Sequence, residues 1–295
     1  MMEKVLRNRM SILLFILPAL LIYTAVVFVP IVSSVYFSFF RWDVISPMKF
    51  IGLDNYTRMF TQDNVFGVGV RNMLLLLAVS LVLQLGLGFV LAVFLSGRLR
   101  GKEWFKNVFF TPAVISSVAV GMMWTFIYDP SMGIINALLQ AAGLEAWARP
   151  WLSEPKTAMW AIAIVTSWQF VGYTMILFIA AIQNISADIF EAARIDGATG
   201  WKVVKHITLP LVKPITKVNT ILISIGSLKF FDLIFVMTGG GPANRTQVLA
   251  SYLYYRSFDQ SEYGYGDAMA VVLLVMCLVV TVIINKLFRM TDQEN

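Results

Sequence analysis

Six long apolar stretches, separated by shorter polar segments, constrain this 295-residue chain more than any other feature. A helix needs roughly 20 apolar residues to cross the hydrocarbon of a bilayer, and each stretch reaches that length. The alternation of a membrane β-barrel is absent, since runs such as LLLLAVSLVLQLGLGFVLAVFL are apolar on every side. The sequence therefore predicts an all-α membrane protein with six spanning helices. They lie at about 12–35, 72–96, 108–128, 158–182, 216–238 and 268–288.

The balance of residue types supports lipid as the solvent of this chain. Hydrophobic residues make up 58% of it and charged residues 14%, whereas a soluble domain carries about 25% charged residues. The net charge of +6 does not indicate nucleic-acid binding, because the Lys and Arg residues stand at the ends of the apolar stretches, where they select an orientation in the membrane. The one cysteine, Cys277, excludes an internal disulfide.

The basic residues also predict which side of the membrane each loop occupies. If the N-terminus is cytoplasmic, the inside segments hold fourteen Lys and Arg residues, among them Lys4, Arg7 and Arg98, and the outside loops hold eight. Positive charge concentrates on the cytoplasmic side of membrane proteins. We therefore expect both termini in the cytoplasm.

One polar segment, EAARIDGATGWKVVKHITLP at 191–210, interrupts the apolar pattern on the predicted cytoplasmic side. Ser186 can cap a short helix near 187–196, and Asp188 lies in its first turn, where a carboxylate favours the helix dipole. Gly197 supplies a stop for this helix. The segment thus begins with a short amphipathic helix.

A second short helix is predicted to follow the turn. Thr199 can cap it, and it should end near His206 because Pro210 and Pro214 oppose continuation. The product is a helix–turn–helix elbow against the membrane. The alternative is an ordinary interfacial loop whose lysines extend toward water.

The elbow resembles the EAA loop of the permease subunits of binding-protein-dependent ABC importers. In that family the loop docks into a cleft of a cytoplasmic ATPase subunit. The resemblance implies that the Ala pair allows close approach, that the Gly turns the chain, and that the Glu reaches a basic or amide partner. It rests on Glu191, Ala192, Ala193, Gly197, Ile207, Leu209 and Pro210.

Longer segments resemble carbohydrate-uptake permeases of the maltose and glycerol-phosphate type. They are WDVISPMKFIGLDNYTRMF after the first stretch, FFTPAVISSVAVGMMWTFIYDPSMGIINALL at 109–139 and FFDLIFVMTGGGPANRT at 230–246. The resemblance implies a type I ABC importer permease fold, with 1–295 as a single transmembrane domain, a permease core at about 72–285 and a coupling loop at 184–214. It implies import of a sugar, most simply an oligosaccharide, across a bacterial plasma membrane.

The partners implied by this family are a second homologous permease, two copies of a cytoplasmic ABC ATPase and an extracytoplasmic sugar-binding protein. The chain itself lacks a Gly-rich loop followed by Lys and a hydroxyl residue, which ATP phosphates require. The nearest match, GRLRGKE at 97–103, is one residue short and ends in Glu103. We therefore expect no cofactor on this chain, with Mg-ATP on the partner ATPase. The lone His206 has no second ligand at metal-binding spacing, so we expect neither a metal site nor an enzyme.

Polar residues inside apolar stretches are costly and are candidates for the transport path. Lys229 and Asp232 have the i, i+3 spacing that places two side chains on one helix face. They could form a gate, or simply a pair that neutralises itself. An ion-coupled secondary transporter would need buried acidic relays, and Asp232 is the only candidate; a permease for a solute other than sugar is the other alternative.

Aromatic platforms and amide or hydroxyl groups suit a transient sugar site, because sugars present apolar ring faces and many hydroxyls. The same residue types also pack helix against helix in membranes, and the second permease could hold the contacts instead. The candidates are Trp168, Gln169, Tyr173, Asn219, Ser224 and Phe231.

Overall fold

The structure is a computed structural model that describes residues 9–97 and 99–293. Lys4, Arg7 and Arg98, counted above among the inside cations, lie outside the described residues. The described chain is mostly helical. By length and composition, four helices could each cross a membrane: Ile12–Phe37, Asn64–Ser96, Ala158–Gln183 and Tyr263–Arg289. These four agree with the predicted first, second, fourth and sixth stretches.

The predicted third and fifth helices are each broken in two. Lys102–Val114 and Ser117–Ile127 meet at an angle of 100°, and Lys213–Leu228 and Asp232–Thr238 at 41°. The spans number four, or up to six if each bent pair is one span. The predicted stretches at 108–128 and 216–238 are thus helical, but each is bent rather than one continuous helix.

Local conformation accounts for the first break. Pro112 removes one backbone donor from the last turn of its helix, and Ile115 and Ser116 then adopt ψ angles of 141° and 132°. These values are extended rather than helical. Hydropathy reveals that this stretch is apolar, but it does not reveal where the helix breaks.

The remaining elements are short. The two strands pair antiparallel, with Phe40 opposite Phe50. Several helices contain a single π-helical turn, which inserts one extra residue per turn. In chain order the helices and strands are Arg9–Tyr23, Thr24–Phe28 (π), Val29–Phe37, strands Phe40–Arg41 and Lys49–Phe50, Asp54–Thr61, Asn64–Ser80, Leu81–Leu85 (π), Gly86–Ser96, the bent pair Lys102–Val114 and Ser117–Ile127, Ile134–Ala141, Glu145–Trp147 (3₁₀), Ala158–Gln183, Ala187–Ile195, Trp201–Val203, Val204–Thr208 (π), Leu209–Leu211, the bent pair Lys213–Leu228 and Asp232–Thr238, Leu249–Tyr254, Tyr255–Asp259 (π) and Tyr263–Gln293.

The described residues fall into two compact units. The first comprises those within Met1–Asp63 and Leu253–Leu274, and the second those within Asn64–Tyr252 and Val275–Asn295. In the second unit, helix 158–183 is central, because 67% of its most apolar stretch is buried, against 22% for helix 64–96.

Glycines allow neighbouring helices to approach helix 158–183 closely. A Cβ on Gly172 would lie 1.9 Å from the carbonyl oxygen of Phe109, and a Cβ on Gly88 would lie 2.9 Å from Cγ2 of Thr174. Small residues at such crossings are typical of membrane helices, where close packing replaces hydrophobic driving force.

A cluster of buried apolar side chains lies at one end of this helix. We call it the core cluster; it comprises Ala92, Leu95, Met175, Phe178, Ile179, Ile182 and Val212. Its members come from helix 64–96 and helix 158–183, together with Val212, which directly follows the segment 184–211. The cluster therefore fixes both ends of that segment to the helices of the second unit.

Candidate coupling elbow and substrate path

The first helix of the elbow forms where the sequence predicts it. It spans Ala187–Ile195, and the hydroxyl of Ser186 accepts a hydrogen bond from the backbone N–H of Asp188 at 3.3 Å. This bond satisfies one of the donors that a helix N-terminus leaves unpaired. The prediction of the helix and its cap is confirmed; its role is not tested by this geometry.

The turn after this helix depends on Gly197. Its φ of +75° lies in the left-handed region, which residues other than glycine rarely adopt. Its N–H donates to the Arg194 carbonyl at 3.1 Å, and the N–H of Ala198 donates to the Ala193 carbonyl at 2.8 Å. These two bonds form a Schellman motif, which satisfies the last carbonyls of the helix. The predicted stop is confirmed.

The second helix differs from the prediction. Gly200, with φ 53° and ψ −122°, precedes it, and no side chain caps it, so Thr199 is not its cap. The helix does not end near His206 but continues to Leu211 through a π-helical turn at Val204–Thr208. Pro210 is tolerated because it lies in the first turn after the π segment, where its missing N–H is least needed. Pro214 likewise occupies the first turn of the next helix.

Most of the predicted coupling residues are accessible. Glu191, Ala192, Gly197, Leu209 and Pro210 are exposed, Ile207 is half-buried, and Ala193 is buried. Among the described residues the Glu191 side chain has no hydrogen bond or ion pair. Five of the seven residues that the resemblance selects are therefore accessible to a partner.

Two apolar side chains on this face were missed by sequence reasoning. Ile195 is 86% exposed and Trp201 is 71% exposed, and they lie on either side of the Gly197 turn. Large apolar side chains exposed in an otherwise polar segment are candidates for contact with a partner. The available signal was an Ile and a Trp flanking a glycine turn in a segment that is otherwise polar.

The elbow is joined directly to the core of the second unit. Val212 is 1% exposed within the core cluster, and Ile185 and Ile215 pack against the same cluster. Both ends of the elbow are therefore held by one group of side chains. The same group of side chains also belongs to helices 64–96 and 158–183.

The aromatic candidates on helix 158–183 are partly accessible. Trp168 is 38% and Tyr173 45% exposed. The ring of Trp168 meets that of Trp124 edge to face, with centroids 5.3 Å apart. Sequence reasoning missed Trp124; its indole nitrogen is buried and has no acceptor in the described part of the chain.

Gln169 has a structural contact that the sequence did not suggest. It is 1% exposed, and its Nε2 donates to the Ile115 carbonyl at 3.2 Å and lies 3.3 Å from the Ser117 hydroxyl. Because the break at 115–116 removes helical partners from that carbonyl, Gln169 supplies the missing donor. Its Oε1 is buried and unpaired within the described residues.

The candidates on the fifth stretch occupy different environments. Asn219 is 1% exposed, and its Nδ2 has no partner among the described residues. Ser224 donates to the Thr220 carbonyl of its own helix at 2.7 Å. Phe231 stacks on Phe235, with centroids 5.1 Å apart. Asn219 is thus a buried amide that still has hydrogen-bonding capacity.

Lys229 and Asp232 do not share a helix face, so that prediction was wrong. Lys229 follows the last residue of helix 213–228, and Asp232 begins the next helix after a 41° bend. Both side chains are exposed, and no ion pair joins them among the described residues. The i, i+3 rule holds only within a continuous helix.

The glycine run after the fifth stretch forms a tight turn. Gly239 and Gly240 have φ values of +57° and +87°. The turn is braced rather than flexible: Nδ2 of Asn72 donates to the carbonyls of Arg245 and Gln247 at 2.7 and 2.8 Å. Asn72 therefore holds the loop by its backbone.

Long apolar helices that pack on helix 158–183, with an exposed elbow joined to the same core, define the second unit as part of a membrane protein. Residues 84–293 match the family described as the inner membrane component of binding-protein-dependent transport systems. The chain belongs to that family. An ion-coupled secondary transporter is therefore set aside.

The relatives cover almost the whole chain. A probable ABC transporter permease protein, YurN, of Bacillus subtilis is 38% identical over 98% of this chain and 99% of its own length. The diacetylchitobiose uptake system permease protein NgcF of Streptomyces coelicolor is 34% identical over 92% of this chain and 80% of its own.

A solved structure supports the fold. It is a bacterial alginate ABC transporter in complex with an alginate-pentasaccharide-bound periplasmic protein, and one of its chains matches with a TM-score of 0.85. That chain is 22% identical, and the match covers 98% of the present chain and 97% of the alginate transporter chain. The fold is that of an ABC importer permease.

Proposed function

We propose that this chain is the permease subunit of an ATP-driven importer of a sugar, in particular an oligosaccharide. The observation that carries the proposal is the elbow: a glycine-braced turn that exposes Ile195 and Trp201 in a chain of the binding-protein-dependent family. The sugar class is supported by the resemblance to carbohydrate-uptake permeases and by the diacetylchitobiose permease among the relatives.

The proposed topology has six spans, with each bent pair counted as one, and both termini in the cytoplasm of a bacterial cell. The excess of basic residues on one side supports it. The elbow then faces the cytoplasm and docks on one of two ABC ATPase subunits, which hold Mg-ATP. A second permease completes the path, and an extracytoplasmic binding protein delivers the sugar.

In this mechanism the elbow transmits the movement of the ATPase. When ATP closes the ATPase pair, the helix Ala187–Ile195 is displaced as a rigid body, because its caps at both ends are satisfied. Val212 carries the displacement into the core cluster. Packed helices respond by small rigid shifts between alternative arrangements, which here open the path toward the outside.

For the sugar path we propose Trp168 as an aromatic platform, steadied by Trp124, and Asn219 as a hydrogen-bonding group. Tyr173, Ser224 and Phe231 are further candidates. The partial exposure of Trp168 and the unpaired amide of Asn219 support these roles. Gln169, Lys229 and Asp232 remain candidates on sequence grounds alone.

Reconstitution tests the proposal. The transporter is assembled in liposomes, and ATP hydrolysis and uptake of labelled oligosaccharides are measured with and without the binding protein. We expect both activities to require binding protein and sugar together. Uptake driven by an ion gradient without ATP would contradict the proposal. So would uptake of a non-sugar solute with no uptake of any sugar.

A matched pair of variants tests the path. Trp168→Ala should lower uptake while leaving assembly intact, whereas Trp160→Ala, on the same helix and 52% exposed, should transport like the wild type. Equal uptake by the two variants would remove Trp168 from the path.

A further inference from the structure

A short hairpin at the end of the first membrane helix carries two unpaired cations. Arg41 and Lys49 face each other across its two strands. Neither side chain has a hydrogen bond or ion pair among the described residues. Like charges directly opposite one another destabilise a strand pair. The arrangement therefore favours an anion between them.

Two neighbouring acids, Asp43 and Glu262, have other partners, and among the described residues neither forms an ion pair with Arg41 or Lys49. Asp43 accepts hydrogen bonds from the Ser46 N–H at 2.6 Å and the Ser46 hydroxyl at 2.9 Å, and these bonds lower its pKa. Glu262 is shared by two guanidinium groups, those of Arg58 and Arg256.

One acid in the same pocket, Asp54, has a side chain with no partner in the described part of the chain. Asp54 lies in the first turn of the helix Asp54–Thr61, where the helix dipole favours a negative charge. Its negative charge repels an anion bound by Arg41 and Lys49. Neutralising Asp54 should therefore have the opposite effect to neutralising either cation.

The base of the hairpin is fixed at the level of the helix ends. Nδ2 of the buried Asn55 donates to the carbonyls of Ser38, Phe40 and Gly264 at 2.8, 3.0 and 3.3 Å. Ser38 follows helix 12–37, and Gly264 begins helix 263–289. One amide thus joins the hairpin to the ends of two membrane helices.

Helix length places the hairpin near the headgroups. Helix 12–37 has 26 residues, so it is about 39 Å long, against about 30 Å of hydrocarbon. Arg41 is four residues beyond its end and therefore at most about 14 Å away. Trp42 stacks on Phe37 with centroids 4.7 Å apart, and such aromatic residues concentrate at the membrane interface.

The hairpin also exposes apolar side chains beside its cations. Ile45 is 92%, Phe50 68% and Met48 44% exposed. Cations next to exposed apolar side chains are typical of segments that lie in the headgroup region. A polar pocket of about 840 Å³ opens beside them, lined by Arg41 and Lys49 among others, and this volume lies within the range of small-molecule sites.

We propose that Arg41 and Lys49 bind the phosphate of an anionic phospholipid, with its headgroup in this pocket and its acyl chains beside Ile45 and Phe50. The leaflet is the one at this end of the helix, which is the outer leaflet on the proposed topology. Two cations on one phosphate also relieve their mutual repulsion.

Native mass spectrometry of the assembled transporter in detergent tests the proposal. Phosphatidylglycerol and phosphatidylcholine with the same acyl chains are titrated separately, and the occupancy of each is compared. We expect tighter binding of phosphatidylglycerol. Arg41→Gln and Lys49→Gln should each weaken it about fivefold and the double variant about thirtyfold, as expected for the loss of surface cations near anionic lipid.

Matched variants separate this site from general charge effects. Lys156→Gln, an exposed lysine on another predicted outside loop, should leave phosphatidylglycerol binding unchanged, and Asp54→Asn should make it tighter. All variants alter exposed side chains, so the melting temperature should match the wild type.

Three results would overturn the proposal. One is equal binding of the two lipids by the wild type, and another is unchanged phosphatidylglycerol binding in the double variant. The third is competition by inorganic phosphate at the same concentration as phosphatidylglycerol, which would assign the pair to a free anion. If the double variant loses only its association with the binding protein, the hairpin is a protein-docking surface and the lipid site is excluded.

Discussion

The close approach of two helices at Gly172 yields a graded prediction about stability. In Gly172→Ala the new methyl group would lie 1.9 Å from the Phe109 carbonyl oxygen, a backbone atom that no rotamer change can move. Overpacking costs about 1–3 kcal/mol, and a backbone clash belongs at the upper end. Ala gains about 1 kcal/mol over Gly in a helix. The net loss should be ~2 kcal/mol.

Two other helical glycines serve as internal standards. At Gly88 the nearest atom is Cγ2 of the Thr174 side chain, 2.9 Å away, and at Gly86 nothing lies within 4 Å. Gly88→Ala should therefore be nearly neutral, because a modest steric cost offsets the helix gain, and Gly86→Ala should be neutral or stabilising. The expected order of stability among the three variants follows the distance from the added Cβ to its nearest neighbouring atom.

The assay is the melting temperature of the purified transporter for the three variants, measured in one detergent. The reasoning predicts that Gly172→Ala melts lowest and Gly86→Ala highest. If Gly172→Ala is as stable as the wild type, helix 158–183 does not approach Phe109 as described.

Three further outcomes are expected. Gln169→Leu should lower the melting temperature, because it leaves the Ile115 carbonyl without its donor, a loss of about 1 kcal/mol. Asn72→Ala should make the loop after the fifth stretch more open to limited proteolysis, because it frees two backbone carbonyls. Trp201→Ala should reduce recovery of the ATPase in a pull-down without lowering the melting temperature, whereas Trp147→Ala, which is 62% exposed on a predicted outside loop, should retain it.

Sequence reasoning succeeded where a local rule decides the structure. The helix after Ser186 and its stop at Gly197 follow from capping chemistry, which depends on a few adjacent residues. The four unbroken helices follow from length and hydropathy, because a bilayer imposes both. These features needed no knowledge of distant contacts.

It failed where a distant contact or a local distortion decides. The break at Ile115 is stabilised by Gln169, more than fifty residues away, and hydropathy cannot detect such a partner. The break after Lys229 separates it from Asp232, so a spacing rule for intact helices misled. The π-helical turn at Val204–Thr208 carried the second elbow helix past the predicted stop.

Co-purification from native membranes, with mass spectrometry of the bound subunits, tests most directly whether the elbow couples this chain to an ATPase. Gly197→Pro is compared with Gly143→Pro, because Gly143 has φ +72° and forms the same pair of turn hydrogen bonds at the end of the helix Ile134–Ala141. Proline cannot adopt either conformation.

We predict that the wild type and Gly143→Pro retain an ATPase, a second permease and a binding protein. Recovery of the ATPase with Gly197→Pro should fall about tenfold or more, which corresponds to a loss of ~1.4 kcal/mol of docking free energy. Recovery of the second permease should not change. Equal ATPase recovery with the two variants, or no ATPase with the wild type, would contradict the coupling role of the elbow.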